Sequence, residues 1–378
     1  MEMVNFSRQS HNAVVKWLWT VDKVTLFVSL ALLIIGIILD VTASPAVARK
    51  IHLDDFALVR KQAQFAVLAI GIILGMSLFS LKTIRRISIV GFLVLLFLLA
   101  LTLPFGVEIK GARRWLYLFG FSLQPSELMK PIFIVLTAWL LERGKKLDYF
   151  QGQVFAIAAY LSVVGLLLLQ PDIGMTLLIT AVFGLQLFLA GLPWFIVGAG
   201  VIGGIMSLFL LYFTYPHFRA RVDQFLYGSD ETSFQINQAM AAFQNGNLVG
   251  KGPGEGTVKL TIPDAHTDFV FAVAGEEYGV WLCLVIILLF SIIVIRTLKL
   301  SMKESNLFVM YAEVGLAASL GVQAFVNMAS SLHIIPTKGM TLPFISYGGS
   351  SLLGTALEVG MLLAITRKNT ASEDKDMY

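Results

Sequence analysis

Cysteine is almost absent from the chain: the single thiol among 378 residues, Cys283, sits inside an apolar run. An internal disulfide and a cysteine-built metal site are therefore both excluded. Charge is scarce too, at 14% of residues, where soluble domains carry about 25%. With 57% hydrophobic residues, that scarcity rules out an ordinary soluble domain and leaves an integral membrane protein. The net charge of +4 comes from basic residues scattered through the loops, not massed in one segment, so nucleic acid is not an expected partner. Internal repeats of the kind that mark many transporters are missing. Two familiar motifs fail as well. Leu352 stands where a nucleophile elbow around Ser350 needs glycine, and Gly246 to Gly252 lacks the spacing and the Ser/Thr of a phosphate-binding loop.

What is present is a series of apolar segments. A bilayer core about 30 Å thick asks for about 20 apolar residues per helix. Ten segments meet that need to a first approximation: 24–42, 63–81, 87–105, 127–142, 152–169, 174–191, 194–215, 269–295, 307–331 and 345–366. The expected fold is thus an all-α polytopic membrane protein of about ten transmembrane helices. Residues 1–23 form a cytoplasmic N-terminal segment, 24–368 a single transmembrane domain, and 369–378 a disordered cytoplasmic tail. The run from Val24 to Asp40 is followed by Ala46-Val47-Ala48, which imitates a signal-peptidase site. The run exceeds the usual apolar core of a signal peptide, about 7–15 residues, and is expected to remain as the first span.

Basic residues cluster after the second, fourth and eighth segments (Lys82, Arg85, Arg86; Arg143, Lys145, Lys146; Arg296, Lys299, Lys303) and in the tail. These ends should be cytoplasmic. The large loop of about 216–268, between the seventh and eighth helices, then lies outside, with GARRWL (Gly111 to Leu116), QPDIG (Gln170 to Gly174) and TKGMTLPFISYGGSS (Thr337 to Ser351). Arg113, Arg114, Arg219 and Arg221 break the charge rule on that face, as an anionic ligand at the outer interface would explain. No appended soluble catalytic domain is expected, so any chemistry falls to loops and helix ends.

Asp268 closes the outer loop where water meets the bilayer, and an ionisable group there is a functional candidate; the bland alternative is a helix cap. His266 and Thr267 add hydrogen-bonding capacity, and the glycines from 250 to 256 could bring backbone close to a ligand. Glu276 and Glu277 follow about 12–13 Å further along a helix, too far for an acid/base pair, so they are expected in ion pairs. Glu127 and Lys130 in QPSELMK share a helix face and could neutralise each other, or Lys130 could join Arg113 and Arg114 as a seat for phosphate. Asp172 is expected to be structural. Glu313 and Glu358, within later spans, should face the protein interior. Pro343, Gly348 and Gly349 imply irregular backbone at membrane depth, tolerable where it lines a cavity.

Together PDAHTDF, GARRWL, QPSELMK, QPDIG and TKGMTLPFISYGGSS resemble the SEDS family (shape, elongation, division and sporulation) of bacterial membrane proteins, its division branch more than its elongation branch. The resemblance covers about residues 24 to 368. It implies a peptidoglycan glycosyltransferase that polymerises lipid II into glycan during septal wall synthesis, in the bacterial cytoplasmic membrane with its active face outside. Asp268 would be the general base, with Arg113, Arg114 and Lys130 stabilising the departing undecaprenyl pyrophosphate. His266, Thr267, Lys338, Ser346, Gly348, Gly349 and Ser350 would bind substrate. A divalent cation (Mg or Mn), with Asp268 a candidate ligand, is the expected cofactor, and no organic one. The implied partners are lipid II, nascent glycan, a class B penicillin-binding protein meeting about 269–331, other division membrane proteins and the bilayer. The rival readings are a lipid II flippase and a non-catalytic division scaffold.

Overall fold

The computed structural model describes residues 13–50, 52–109, 111–118, 120–146, 149–216, 219, 223, 230–262, 264–335 and 339–367. A helix lies over each of the ten expected segments: α2 (Lys23–Lys50), α3 (Ala57–Ser77), α4 (Leu81–Phe105), α5 (Pro125–Lys146), α6 (Tyr149–Leu169), α7 (Ile173–Leu189), α8 (Trp194–Thr214), α10 (Val270–Ser301), α11 (Leu307–Ser331) and α12 (Gly349–Ile365). Two further helices flank them, α1 (Ala13–Thr20) before the first and α9 (Asp230–Gly246) within the outer loop. Six of the described helices are long and apolar enough to cross a membrane, and α7 and α12 are apolar but shorter.

Burial sorts the helices into a centre and a ring. Two thirds of the apolar window of α11 is buried (67%), against 22% for α3. α5 and α12 are buried along most of their length, and α5 packs on both α11 and α12. The ring helices turn Val67, Leu93, Phe97, Phe155 and Leu161 outward, more than half exposed. Such an apolar exterior would drive a soluble protein to associate, but it suits hydrocarbon. Polar residues accordingly concentrate on the central helices, away from lipid: Lys130, Glu313, Gln323, Asn327 and Glu358 are all buried there.

The all-α membrane fold carries one small non-helical element. The GARRWL loop is a three-stranded antiparallel meander, β1 (Val107–Ile109), β2 (Ala112–Leu118) and β3 (Phe121–Leu123), paired Glu108 to Arg113 and Leu116 to Leu123. Outside the helices the backbone still needs hydrogen bonds, and a short sheet supplies them locally.

The eighth expected span is also broken. Within α10, Gly279 leaves helical geometry at φ 73°, ψ −172°. The carbonyls freed there accept from the loop that precedes the helix, Lys251 N–H to Glu276 O and Gly252 N–H to Glu277 O, both at 3.0 Å. Helix ends leave such groups orphaned, and here loop 247–252 satisfies them. The approach is so close that a Cβ on Gly279 would lie 2.3 Å from the Leu248 carbonyl oxygen, and one on Gly250 2.3 Å from that of Glu277. The glycines thus bring backbone close to backbone of this same chain.

The two ends of the bundle differ in chemistry. At one end Asp22 pairs with Arg296 at 2.7 Å, the Trp17 indole donates to Ser77 at 2.9 Å, and Arg367 donates to the Leu78 carbonyl at 3.3 Å. The other end gathers the sheet, the QPDIG turn, the approach to α10 and the loop 339–348. A small second core, Ala239, Ala242, Val258, Ile262, Ala265 and Phe269 among them, lets α9 cover that end.

Candidate active site

Asp268 is held by its backbone on a tight turn, its N–H donating to the Asp264 carbonyl at 3.2 Å. Helix α10 starts at Val270 with Phe269 in the cap position and no side-chain cap, so Asp268 is not its N-cap. Its carboxylate is half-buried and looks toward loop 339–348, where a Cβ on Gly339 would stand 3.5 Å from Asp268 Oδ2. That loop is stitched to the turn: Tyr347 N–H donates to the His266 carbonyl at 2.9 Å, and the Ser346 hydroxyl to the Thr267 carbonyl at 2.5 Å. Asn327 of α11 clamps both, donating to the Asp268 carbonyl at 3.1 Å and the Met340 carbonyl at 2.7 Å.

Four residues expected on the substrate make contacts within and beside this stitching. Ser346 is buried and also accepts from Leu342 N–H at 2.8 Å. Gly348 donates to the Gln62 side-chain oxygen at 3.3 Å, and Gly349 packs on Phe65, whose ring would lie 2.6 Å from a Cβ. Ser350 accepts from Gln124 N–H at 3.0 Å and donates to the Ser122 carbonyl at 3.1 Å, fastening the sheet to α12. Irregular backbone at this depth consumes its neighbours' hydrogen-bonding groups. Lys338 lies outside the described residues, as do Thr337 and Arg221.

The three expected cations have different partners. Arg113 and Arg114 are neighbours in β2 at a β-bulge: Glu108 faces Arg113 and Val107 faces Trp115, which leaves Arg114 as the extra residue and re-aims it. Arg113 reaches Glu108 on β1 at 3.4 Å, both side chains about half exposed. Arg114 turns onto the QPDIG turn, meeting Asp172 at 3.6 Å, the Gln170 carbonyl at 3.4 Å and the Pro171 carbonyl. Asp172 in turn caps α7 by accepting from Met175 N–H at 3.3 Å. Lys130 is fully buried, 2.7 Å from Glu127 and donating to the Gln323 side-chain oxygen. Arg219, on the same outer loop, pairs with Asp223 at 3.4 Å.

Lys130 and Asp268 are nonetheless connected. Gln323 also donates to the Thr341 carbonyl at 3.0 Å. Gln323 and Asn327 are four apart on α11 and so share a face. One face of one central helix therefore holds the lysine, loop 339–341 and the aspartate turn in a fixed relation. Neither residue was singled out from the sequence, although an amide pair at i, i+4 inside an apolar span was a readable signal.

Glu276 and Glu277, both fully buried, lock the approach to this site. Glu276 accepts from Thr257 N–H at 3.1 Å and Val258 N–H at 3.0 Å; Glu277 meets Lys259 at 2.6 Å and accepts from Gly254 N–H at 3.1 Å. Removing one partner of a buried pair leaves an uncompensated charge, at a cost of about 3–5 kcal/mol. Because Gly254 still serves Glu277, Lys259→Met is expected to cost about 3 kcal/mol, the low end of that range. Thermal unfolding of the detergent-solubilised protein measures it, and an unchanged midpoint would remove the pair from the account.

Burial pushes His266 down to about 4, opposed in part by the charge of Asp264. The imidazole is therefore neutral at pH 7. An ordinary histidine titrates near 6.5, so between pH 6.5 and about 4 the unfolded chain takes up a proton that the folded chain refuses. This group's contribution is complete above pH 6.5 and is lost as pH falls toward 4, by at most about 3 kcal/mol. His266→Gln is expected to flatten the melting temperature between pH 4.5 and 6.5 relative to the native chain. Identical pH profiles would contradict the buried neutral imidazole.

Among the described residues no group of three or more His, Cys, Asp and Glu stands ready to hold a metal ion.

The family model FtsW/RodA/SpoVE, described as cell cycle protein, matches residues 23–371. The chain belongs to the FtsW/RodA/SpoVE family. The match takes in each segment of the site, from the sheet to α12. Among FtsW/RodA/SpoVE relatives, a probable peptidoglycan glycosyltransferase FtsW of Caulobacter vibrioides is 42% identical over 96% of this chain and 93% of its own. A second, from Geobacter sulfurreducens, is 38% identical over 92% and 95%. The fold of this FtsW/RodA/SpoVE protein resembles a chain in a solved structure described as "Structural coordination of polymerization and crosslinking by a peptidoglycan synthase complex", at TM-score 0.78, 28% identity and coverage of 92% and 97%. It also resembles the rod shape determining protein RodA of Thermus thermophilus at TM-score 0.68, 28% identity and coverage of 92% and 96%.

Proposed function

We infer that this multi-pass membrane protein is a peptidoglycan glycosyltransferase, polymerising lipid II into glycan for septal wall synthesis at the outer face of the bacterial inner membrane. The observation that carries the mechanism is the placing of Asp268: a half-buried carboxylate at the polar end of the bundle, on a turn clamped by Asn327. The leaving group, undecaprenyl pyrophosphate, is a weak base that departs without protonation. A single general base therefore suffices. Asp268 accepts the proton of the acceptor sugar's 4-hydroxyl while that oxygen attacks the anomeric carbon of the donor from the opposite face, giving a β-linked product from an α-linked donor.

Lys130 sets the electrostatics from below, and Arg114 at the QPDIG turn, with Arg113 beside it on β2, offers guanidinium to pyrophosphate oxygens at the rim. Magnesium binds through one or two carboxylates plus substrate phosphates, and Asp268 alone meets that requirement without a preformed cage. Such an ion would screen the pyrophosphate charge. The partner in wall synthesis is a class B penicillin-binding protein, whose transmembrane helix fits the exposed apolar stripe of Trp281, Leu284 and Leu288 on α10 with Phe325 of α11.

The test is polymerisation of labelled lipid II by the purified protein with its cognate transpeptidase. Glycan longer than the disaccharide is the expected product. Transbilayer movement of lipid II without polymer would favour a flippase, and neither activity would favour a scaffold.

A further inference from the structure

The end of the bundle opposite Asp268 holds a cavity that this reaction does not use. It lies between the last turn of α5 and the first turn of α6, measures about 320 Å³, and is lined by Trp139, Arg143, Gln151 and Phe155 among others. Its floor is a backbone contact: a Cβ on Gly152 would stand 2.3 Å from the Gly144 Cα, so nothing larger than glycine fits at the crossing. Two guanidinium groups gather on one indole. Arg143 lies 5.5 Å and Arg85, from the first turns of α4, 5.7 Å from the centre of the Trp139 ring. Both distances are within cation–π range, so the indole orders each long side chain; of the two, Arg143 lines the cavity. Glu142, the neighbouring carboxylate, is itself engaged.

The rim away from these cations is apolar. Phe155 is 61% exposed, and beyond it Leu161 and Leu169 carry the exposed apolar side of α6 onward. A phosphate alone would find no use for that surface, whereas a phosphodiester carrying acyl chains matches both halves. Tryptophan at a membrane interface and basic residues on the cytoplasmic side are the usual surroundings of a lipid headgroup.

We propose that this cavity binds the phosphate headgroup of an anionic phospholipid of the cytoplasmic leaflet, its acyl chains lying along α6. Arg143, in the cavity wall, pairs with the phosphate, Arg85 adds positive charge from beside Trp139, and Gln151 hydrogen-bonds the glycerol. The choice of leaflet rests on the positive-inside orientation of the chain; the site itself is independent of the glycosyltransferase reading.

Native mass spectrometry of the intact protein with dioleoyl phosphatidylglycerol or dioleoyl phosphatidylcholine tests it. The native chain is expected to retain the anionic lipid preferentially. Arg85→Gln with Arg143→Gln should lower that retention roughly 25-fold, each cation near an anionic lipid contributing about a factor of five. Gln151→Trp fills the cavity and leaves the cations in place, and should lower it as well. No preference in the native chain overturns the proposal. Undiminished retention by Gln151→Trp overturns it too, since the lipid would then be held by surface charge. Displacement of the lipid by equimolar glycerol phosphate, which has no acyl chains, assigns the site to soluble phosphates instead. Should the double arginine variant not fold, Gln151→Trp and the glycerol phosphate competition decide alone.

Discussion

Asp268→Asn is expected to reduce glycan polymerisation by about 10²–10⁴, the usual contribution of a general base, at unchanged folded yield. Asparagine keeps the size of the side chain and cannot accept the proton. The fold should tolerate it because the turn is held by backbone: Asp268 N–H donates to Asp264, and the Asp268 carbonyl accepts from Asn327. Phe269, not Asp268, occupies the cap of α10, so no helix start is lost. The readout is polymer from labelled lipid II, taken alongside the melting temperature and the yield of the complex with its transpeptidase. Activity within a few fold of native, in a protein that melts normally, would remove Asp268 as the base. Asn327→Ala provides the contrast. It loosens the turn without touching the carboxylate, and should lower both stability and rate while leaving the pH dependence of the rate where it was.

The membrane fold was legible because an apolar window of about 20 residues admits few other readings. What escaped the sequence were the features decided by local competition. The strand around Arg113 and Arg114 is seven residues long and lies between two glycines, which reads equally well as a loop. The bulge that leaves Arg114 unpaired in the ladder, and sends the two arginines to different partners, has no signature in the sequence. Gly279 sits in an apolar run where glycine often continues a helix, and only the arrival of Leu248 and Gly250 against it shows why the helix breaks. Asp268 stands out in the sequence as a carboxylate at an expected water–bilayer boundary. Its clamp was not, because Gln323 and Asn327 become informative only when α11 is seen to be central. The loop contacts of Ser346 and Ser350 were hidden for a related reason: near a site, a hydroxyl can serve the ligand or the loop, and composition does not distinguish the two.

Lys130→Met is expected to be the most damaging single change to the fold, at about 3–5 kcal/mol. The ammonium is fully buried, with Glu127 at 2.7 Å and Gln323 as its acceptor. Glu358 of α12, also buried, lies in its field. Removing this cation strands carboxylate charge in the bundle centre and frees Gln323, and with it one link to loop 339–341. The double change Glu127→Gln with Lys130→Met separates these losses. It removes the stranded charge of Glu127 while leaving the link broken, so the double variant should be more stable than Lys130→Met alone. Its polymerisation should stay low, because the cation below the site is still missing. The coupling in a double-mutant cycle, read from melting temperature and from rate, is then large for stability and small for activity. If instead Glu127→Gln restored activity along with stability, Lys130 would matter only as a counter-charge, and electrostatic help to the pyrophosphate would fall to the two arginines of β2.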